Sequence, residues 1–291
     1  MSAVGSRGSE SELAKRVLAA ADTPADTSLP ADAGDVVETL LSALERGEVR
    51  AAERGYDGAW HAVPWVKRGI LLGFRVGRLV DMTVGSGGGK LPFFDKHTYP
   101  VQSFTVDRGV RLVPGGSSVR RGAYVATGVV CMPPMYVNVG AWIGAGTMVD
   151  SHALVGSCAQ IGERVHLSAA AQIGGVLEPV NASPVVIEDD VLVGGNCGVY
   201  EGTIVRSRAV LAAGVILTRG TPVYDLVNER ILRAETDRPL EIPSGAVVVP
   251  GARQVAKGWG AEQGISLQTP IIVKYRDERT DIATALEGWL R

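Results

Sequence analysis

The sequence predicts a mainly β fold, a parallel β-helix built as a three-sided prism, and three observations carry that prediction. Aliphatic or thiol side chains recur every sixth residue at Val113, Val119, Val125, Cys131, Val137, Ile143, Val149, Val155, Ile161, Leu167 and Ile173. The beat resumes at Ile187, Val193, Val199, Val205, Leu211 and Leu217. A helix repeats its apolar face about every 3.6 residues and a strand every second one, so a period of six marks a solenoid of hexapeptides. The residue after the beat is small in most repeats (Ala126, Gly144, Gly156, Gly162, Gly174, Gly194, Ala212), as a tight corner requires. Four residues after the beat the side chains are again small or β-branched, as at Thr147, Ala153, Ala159, Val165 and Ala171. That row lies two residues before the next beat, so both rows point into one narrow interior, with coils stacked at roughly 4.8 Å.

In chain order, residues 1–33 are rich in Ala, Ser, Asp, Gly and Pro and read as a flexible segment with one short helix near Glu10 to Ala21. Residues 34–108 read as a small helical domain. One helix runs from Asp35 to Arg46 with Val37, Leu40, Leu41 and Leu44 on one face and Gly47 at its stop, and another spans Trp65 to Val76. Gly85 to Gly89 reads as a loop. The β-helix domain is assigned to 109–250. Its single break, the 14 residues from Ile173 to Ile187, reads as two repeats plus a two-residue bulge around Leu177 to Pro184. Asn228 to Arg238 reads as a hairpin, and 251–291 as a C-terminal extension with a strand at Pro270 to Tyr275 and a helix from Asp281, covering the exposed end of the solenoid.

With 291 residues, 46% hydrophobic content and a net charge of −2, the chain has ample material for a core and no basic surplus to draw nucleic acid. No apolar run has the length of a membrane span and no secretory leader is evident, so a cytoplasmic protein without membrane partners is the expectation. The three cysteines make no disulfide framework: Cys131 and Cys197 fall at inward positions, and Cys158 at an outward, exposed one.

Two carboxylates break the pattern. Asp150 stands directly after the beat residue Val149, and Glu201 two after Val199; each alone is ordinarily a hydrated surface acid. Their surroundings are more specific. Met148-Val149-Asp150-Ser151, Val155-Gly156-Ser157-Cys158-Ala159-Gln160-Ile161-Gly162, Val165-His166-Leu167-Ser168 and Ile173-Gly174-Gly175-Val176-Leu177-Glu178-Pro179 resemble the tetrahydrodipicolinate N-succinyltransferase family. Tyr136 to Ala141 and Glu201-Gly202 fit the same family, and the resemblance extends more weakly from the helix near Val37 to the C-terminus.

The resemblance implies a left-handed winding and transfer of a succinyl group from succinyl-CoA to the amine of ring-opened tetrahydrodipicolinate, without a metal. Asp150 and Glu201 would then be the catalytic acids, with Asp150 also touching substrate, and Arg111 would clamp a substrate carboxylate. An ammonium must lose a proton before attacking a thioester, and a dicarboxylate suits a bidentate guanidinium, so these residue types answer the chemistry. For CoA, the small corner Ala212, Ala213 and Gly214 would flank the extended arm, with Arg219, Arg253 and Lys257 near the phosphates. Members that carry arginine where this chain has Asn196 mark one departure.

Repeat counting puts Asp150 and Glu201 on different faces about 13 Å apart along the prism, so a homotrimer with active sites between subunits is expected. His152 and His166 are alternative bases. A zinc hydratase would need a third histidine in the repeats. An acetyl-CoA-dependent N-acyltransferase and a non-catalytic binding solenoid remain the rival readings.

Overall fold

The computed structural model describes residues 6–85, 91–236 and 238–277. Three helices, α1 (Ser6–Ala21), α2 (Ala33–Glu45) and α3 (Pro64–Val76), pack on one another through Val17, Leu40, Leu41 and Ile70, none more than 1% exposed. Pro64 opens α3, where its missing N–H is no loss, and Gly47 at φ +73° follows the end of α2. The expectation of a flexible first 33 residues is corrected: α1 contributes Leu13, Val17 and Ala20 to the helical core, because its apolar residues meet α3 as well as α2.

The prism follows as a left-handed parallel β-helix of two-residue strands. In each coil the chain visits a first face (Tyr124–Val125), a second (Val130–Cys131) and a third (Tyr136–Val137). Strands of successive regular coils pair in parallel eighteen residues apart, as Val125 with Ile143 and Val149 with Leu167. The beat residues fill the interior: Val137, Ile143, Val149, Val155, Ile161 and Leu167 are all 0% exposed. The inward hydroxyls two residues before the beat are satisfied: Thr147 Oγ1 donates to Gly162 O at 2.9 Å and accepts from Val165 N–H at 3.0 Å, and Thr203 Oγ1 donates to Tyr200 O at 2.7 Å.

Two readings of this region change. Gln172–Ile173 on the third face is followed directly by Val186–Ile187 on the first, which pairs with Gln160–Ile161. The 14-residue gap is therefore one repeat carrying an eight-residue insertion, not two repeats with a small bulge. Cys158, expected at the surface, is buried as Cys131 and Cys197 are. It points out of the prism at the corner between the third and first faces, and the helical domain covers that corner. The fit is close: at Gly140, φ +74°, a Cβ would fall 2.8 Å from Ile70 Cδ1 and 2.9 Å from the Cys158 sulfur.

Beyond the last coil the hairpin forms between Val223–Asp225 and Arg230–Leu232, tighter and earlier than expected. A long strand, Ala246–Gln254, extends the second face across the expected domain boundary at 250 and turns back through the short helix α4 (Gly258–Glu262) into Ser266–Tyr275. The strand expected at Pro270 to Tyr275 is the second half of the latter. The helix expected from Asp281, and most of the Gly85 to Gly89 loop, lie outside the described residues.

Candidate active site

Asp150 stands at the corner between the second and third faces, held by the strand Met148–Val149. Its Oδ1 accepts the Ser151 N–H at 2.7 Å, and its Oδ2 lies 4.0 Å from His166 Nε2. His166 comes from the next coil, directly opposite Met148 in the ladder. Arg111 is exposed on the same face, in a strand that pairs with Val130–Cys131, which in turn pairs with Met148–Val149. The structure thus gathers Arg111, Asp150 and His166 along one face. Sequence reasoning weighed His166 without linking it to Asp150, although the eighteen-residue coil length puts it in register with Met148.

The same corner continues upward through Ser168 and Gly194 to Ala212, about 14 Å along the prism from Asp150 at the usual strand spacing. Ala213 is exposed, and the Gly214 carbonyl is met by Gln268 Nε2 at 3.5 Å from the long C-terminal arm. Arg253 lies on that arm with its Nε buried and, among the described residues, without a hydrogen-bond partner, and Lys257 is exposed just before α4. Ala212, Ala213 and Gly214 are thus small residues at this corner, and Arg253 and Lys257 belong to the arm that meets it at Gly214.

Glu201 occupies a different corner, between the third and first faces, after the strand Gly198–Val199. It is exposed in a left-handed conformation (φ +53°), and its Oε2 accepts the Arg219 N–H at 2.8 Å. A cleft of about 950 Å³ opens beside it. The insertion forms one wall with Gly175, Glu178, Asn181 and Ser183, and Thr236 and Arg238 stand on the other. Arg219 belongs here rather than with Ala212, Ala213 and Gly214, and its guanidinium already donates to the carbonyls of Glu235 and Thr236 at 2.6 and 2.8 Å. It thus stands at another corner from the other residues grouped with it for CoA. The insertion as a cleft wall was illegible in the sequence, because the gap length divided almost evenly into hexapeptides.

Asp150 and Glu201 lie on different corners, two coils and one face apart. The offset along the axis is about 11 Å rather than 13 Å once the insertion is counted correctly. Within one chain they do not meet.

A family model described as tetrahydrodipicolinate N-succinyltransferase N-terminal matches residues 13–76, and a model described as hexapeptide repeat of succinyl-transferase matches residues 184–219. The chain is 43% identical over 274 residues to the 2,3,4,5-tetrahydropyridine-2,6-dicarboxylate N-succinyltransferase of Nitrobacter winogradskyi, an alignment covering 91% of this chain and 94% of that one. It is 43% identical to the protein of the same name from Bradyrhizobium diazoefficiens over 91% and 92% of the two chains. A crystal structure described as a 2,3,4,5-tetrahydropyridine-2-carboxylate N-succinyltransferase from Campylobacter jejuni shares the fold with a TM-score of 0.51 at 17% identity, covering 86% of this chain and 64% of that one.

Proposed function

Since the chain belongs to the tetrahydrodipicolinate N-succinyltransferase family of acyltransferases, we propose that it transfers a succinyl group from succinyl-CoA to the amine of 2-amino-6-oxopimelate, the ring-opened form of tetrahydrodipicolinate, in lysine and diaminopimelate biosynthesis. The observation that carries the mechanism is the separation of Asp150 and Glu201. Each stands at an open corner with the remaining furniture of half a site, and neither can reach the other's substrate alone. A trimer of parallel prisms sets the Asp150 corner of one subunit against the Glu201 cleft of the next.

In that cleft Arg111 holds one substrate carboxylate. Asp150 takes a proton from the ammonium, with His166 beside it at 4.0 Å. Glu201, fixed by the Arg219 N–H, orients the amine. The nitrogen lone pair then attacks the thioester carbon. The tetrahedral intermediate collapses with loss of a second proton from nitrogen, the C–S bond breaks, and the thiolate leaves as CoA thiol once protonated. The CoA arm lies along Ala212, Ala213 and Gly214, with Arg253 and Lys257 toward its phosphates. Arg219, bonded to the Glu235 and Thr236 carbonyls, braces the Glu201 cleft instead.

A CoA-release assay with 2-aminopimelate as acceptor tests this. Release is expected with succinyl-CoA in preference to acetyl-CoA. Preference for acetyl-CoA would overturn the acyl group, and release with neither donor the reaction.

A further inference from the structure

The helical domain contains one charged side chain that no surface or ion pair explains. Lys67, on the face of α3 turned to the prism, is 0% exposed. Burying an ammonium is costly unless it is paired, and among the described residues Lys67 faces no carboxylate. Burial lowers its pKa, with the neighbouring Cys158 acting weakly the other way, while burial pushes that thiol up to about 12. The only hydrogen bond of Lys67 among the described residues goes from Nζ to the carbonyl of Ala182. An isosteric apolar side chain would fill the same space without the desolvation, so packing does not account for the amine.

What Ala182 belongs to does account for it. Ala182 sits in the eight-residue insertion, which forms the wall of the Glu201 cleft. The insertion has a second attachment to the helical domain through Leu177, which packs against the helical core. The residue after Ala182 is pressed onto the acid's own corner. Gly202, at φ +74°, has no room for a Cβ, which would fall 2.7 Å from the Ser183 carbonyl oxygen. A continuous line of contacts therefore runs from Lys67 through Ala182 and Ser183 to Gly202 and Glu201.

We infer that Lys67 is a positioning residue for acyl transfer, holding the insertion at the height over the Glu201–Gly202 corner that shapes the acceptor cleft. The inference rests on the proposed reaction, in which that cleft takes the amino diacid while the donor lies along a different corner. Lys67 touches neither substrate. Its removal is felt by the acceptor and not by the donor.

The test is steady-state CoA release by the full chain with succinyl-CoA and 2-aminopimelate, for wild type and Lys67→Met. The methionine variant is expected to raise KM for the acceptor about tenfold or more, as displaced positioning groups do, and to leave KM for succinyl-CoA within about twofold. Amide hydrogen exchange should speed up across 174–185 while α1, α2 and α3 keep their protection. Lys67→Gln, which retains a neutral N–H donor on a shorter arm, should fall between the two.

An unchanged acceptor KM in folded Lys67→Met overturns the inference. So do equal rises in both KM values, the mark of general loosening. Should the methionine variant not fold, the glutamine variant is judged by the same two criteria. Wild type that releases no CoA refutes the proposed reaction instead, and the exchange of 174–185 then still decides whether Lys67 holds the loop.

Discussion

The two acid-bearing corners of the prism differ in what lies over them. Along the corner between the second and third faces, Asp150, Ser168, Gly194 and Ala212 follow one another with no insertion, and the C-terminal arm meets this corner at Gly214. The corner between the third and first faces is roofed. Leu41 lies over Gly122 and Ile70 over Gly140, Cys158 is buried beneath α3, and the insertion closes over Gly202. The open corner has the shape of a track for an extended ligand, whereas the roofed corner ends in a walled cleft for a compact one. A single chain offers both halves and joins neither, so the difference argues for assembly as part of catalysis.

The comparison breaks most readily at the two acids. Asp150→Asn and Glu201→Gln should each lower kcat/KM by about 10²–10⁴. Co-expressed, the two variants should recover about a quarter of wild-type activity in randomly mixed trimers, because some interfaces then pair an intact Asp150 with an intact Glu201. Absence of recovery would overturn a site shared between neighbouring subunits.

Gly202→Ala sharpens the roofed side. It forces a side chain into a left-handed turn against Ser183, and a loss of up to about 3 kcal/mol in denaturant unfolding is expected, with a weakened acceptor KM.

Acid titration probes the hairpin from which the chain runs on to Thr236 and Arg238 on the cleft's far wall. Burial raises the Asp225 carboxyl, but hydrogen bonds from Asn228, Tyr275 and Arg230 outweigh it and hold it lowered to about 2. The folded value lies below the unfolded one near 3.9, so the stabilisation of about 2 kcal/mol is present above about pH 4 and lost as pH falls toward 2. Asp225→Asn should remove that pH dependence, read by thermal melts across the same window.

The smallest stability effect is expected at the open corner. Ala213→Trp should shift unfolding by less than about 0.5 kcal/mol, yet raise KM for the CoA donor while sparing the acceptor.

Much of this was legible because the prism writes its geometry into spacing. Each beat residue from Val119 to Leu217 faces inward, and Asp150 is conspicuous because a carboxylate stands where most corners place a small residue. Spacing describes the prism alone, however. It could not show that α3 would cover Cys158, since an outward position says nothing of what packs outside. It also miscounted the insertion, because fourteen residues lie close to two hexapeptides and only strand register distinguishes the cases. Composition made the first 33 residues look loose, yet Leu13, Val17 and Ala20 find partners on α2 and α3 that lie far along the chain. The neighbourhood of Asp150 and His166 required the coil length to be applied across faces, and the link from Lys67 to Ala182 spans 115 residues with no pattern to announce it.

The ladder of the second face runs in parallel until Ala246–Gln254, whose outer neighbour, Ser266–Tyr275, runs the opposite way. A stack of identical coils is in principle a template that another molecule could lengthen by matching hydrogen bonds in the same sense. Beyond the reversed strand the sheet closes on the hairpin of Val223–Asp225 and Arg230–Leu232, which stands where a further coil would stack, so regular growth on this face stops at a finite rod and copies of the chain are left to associate side by side.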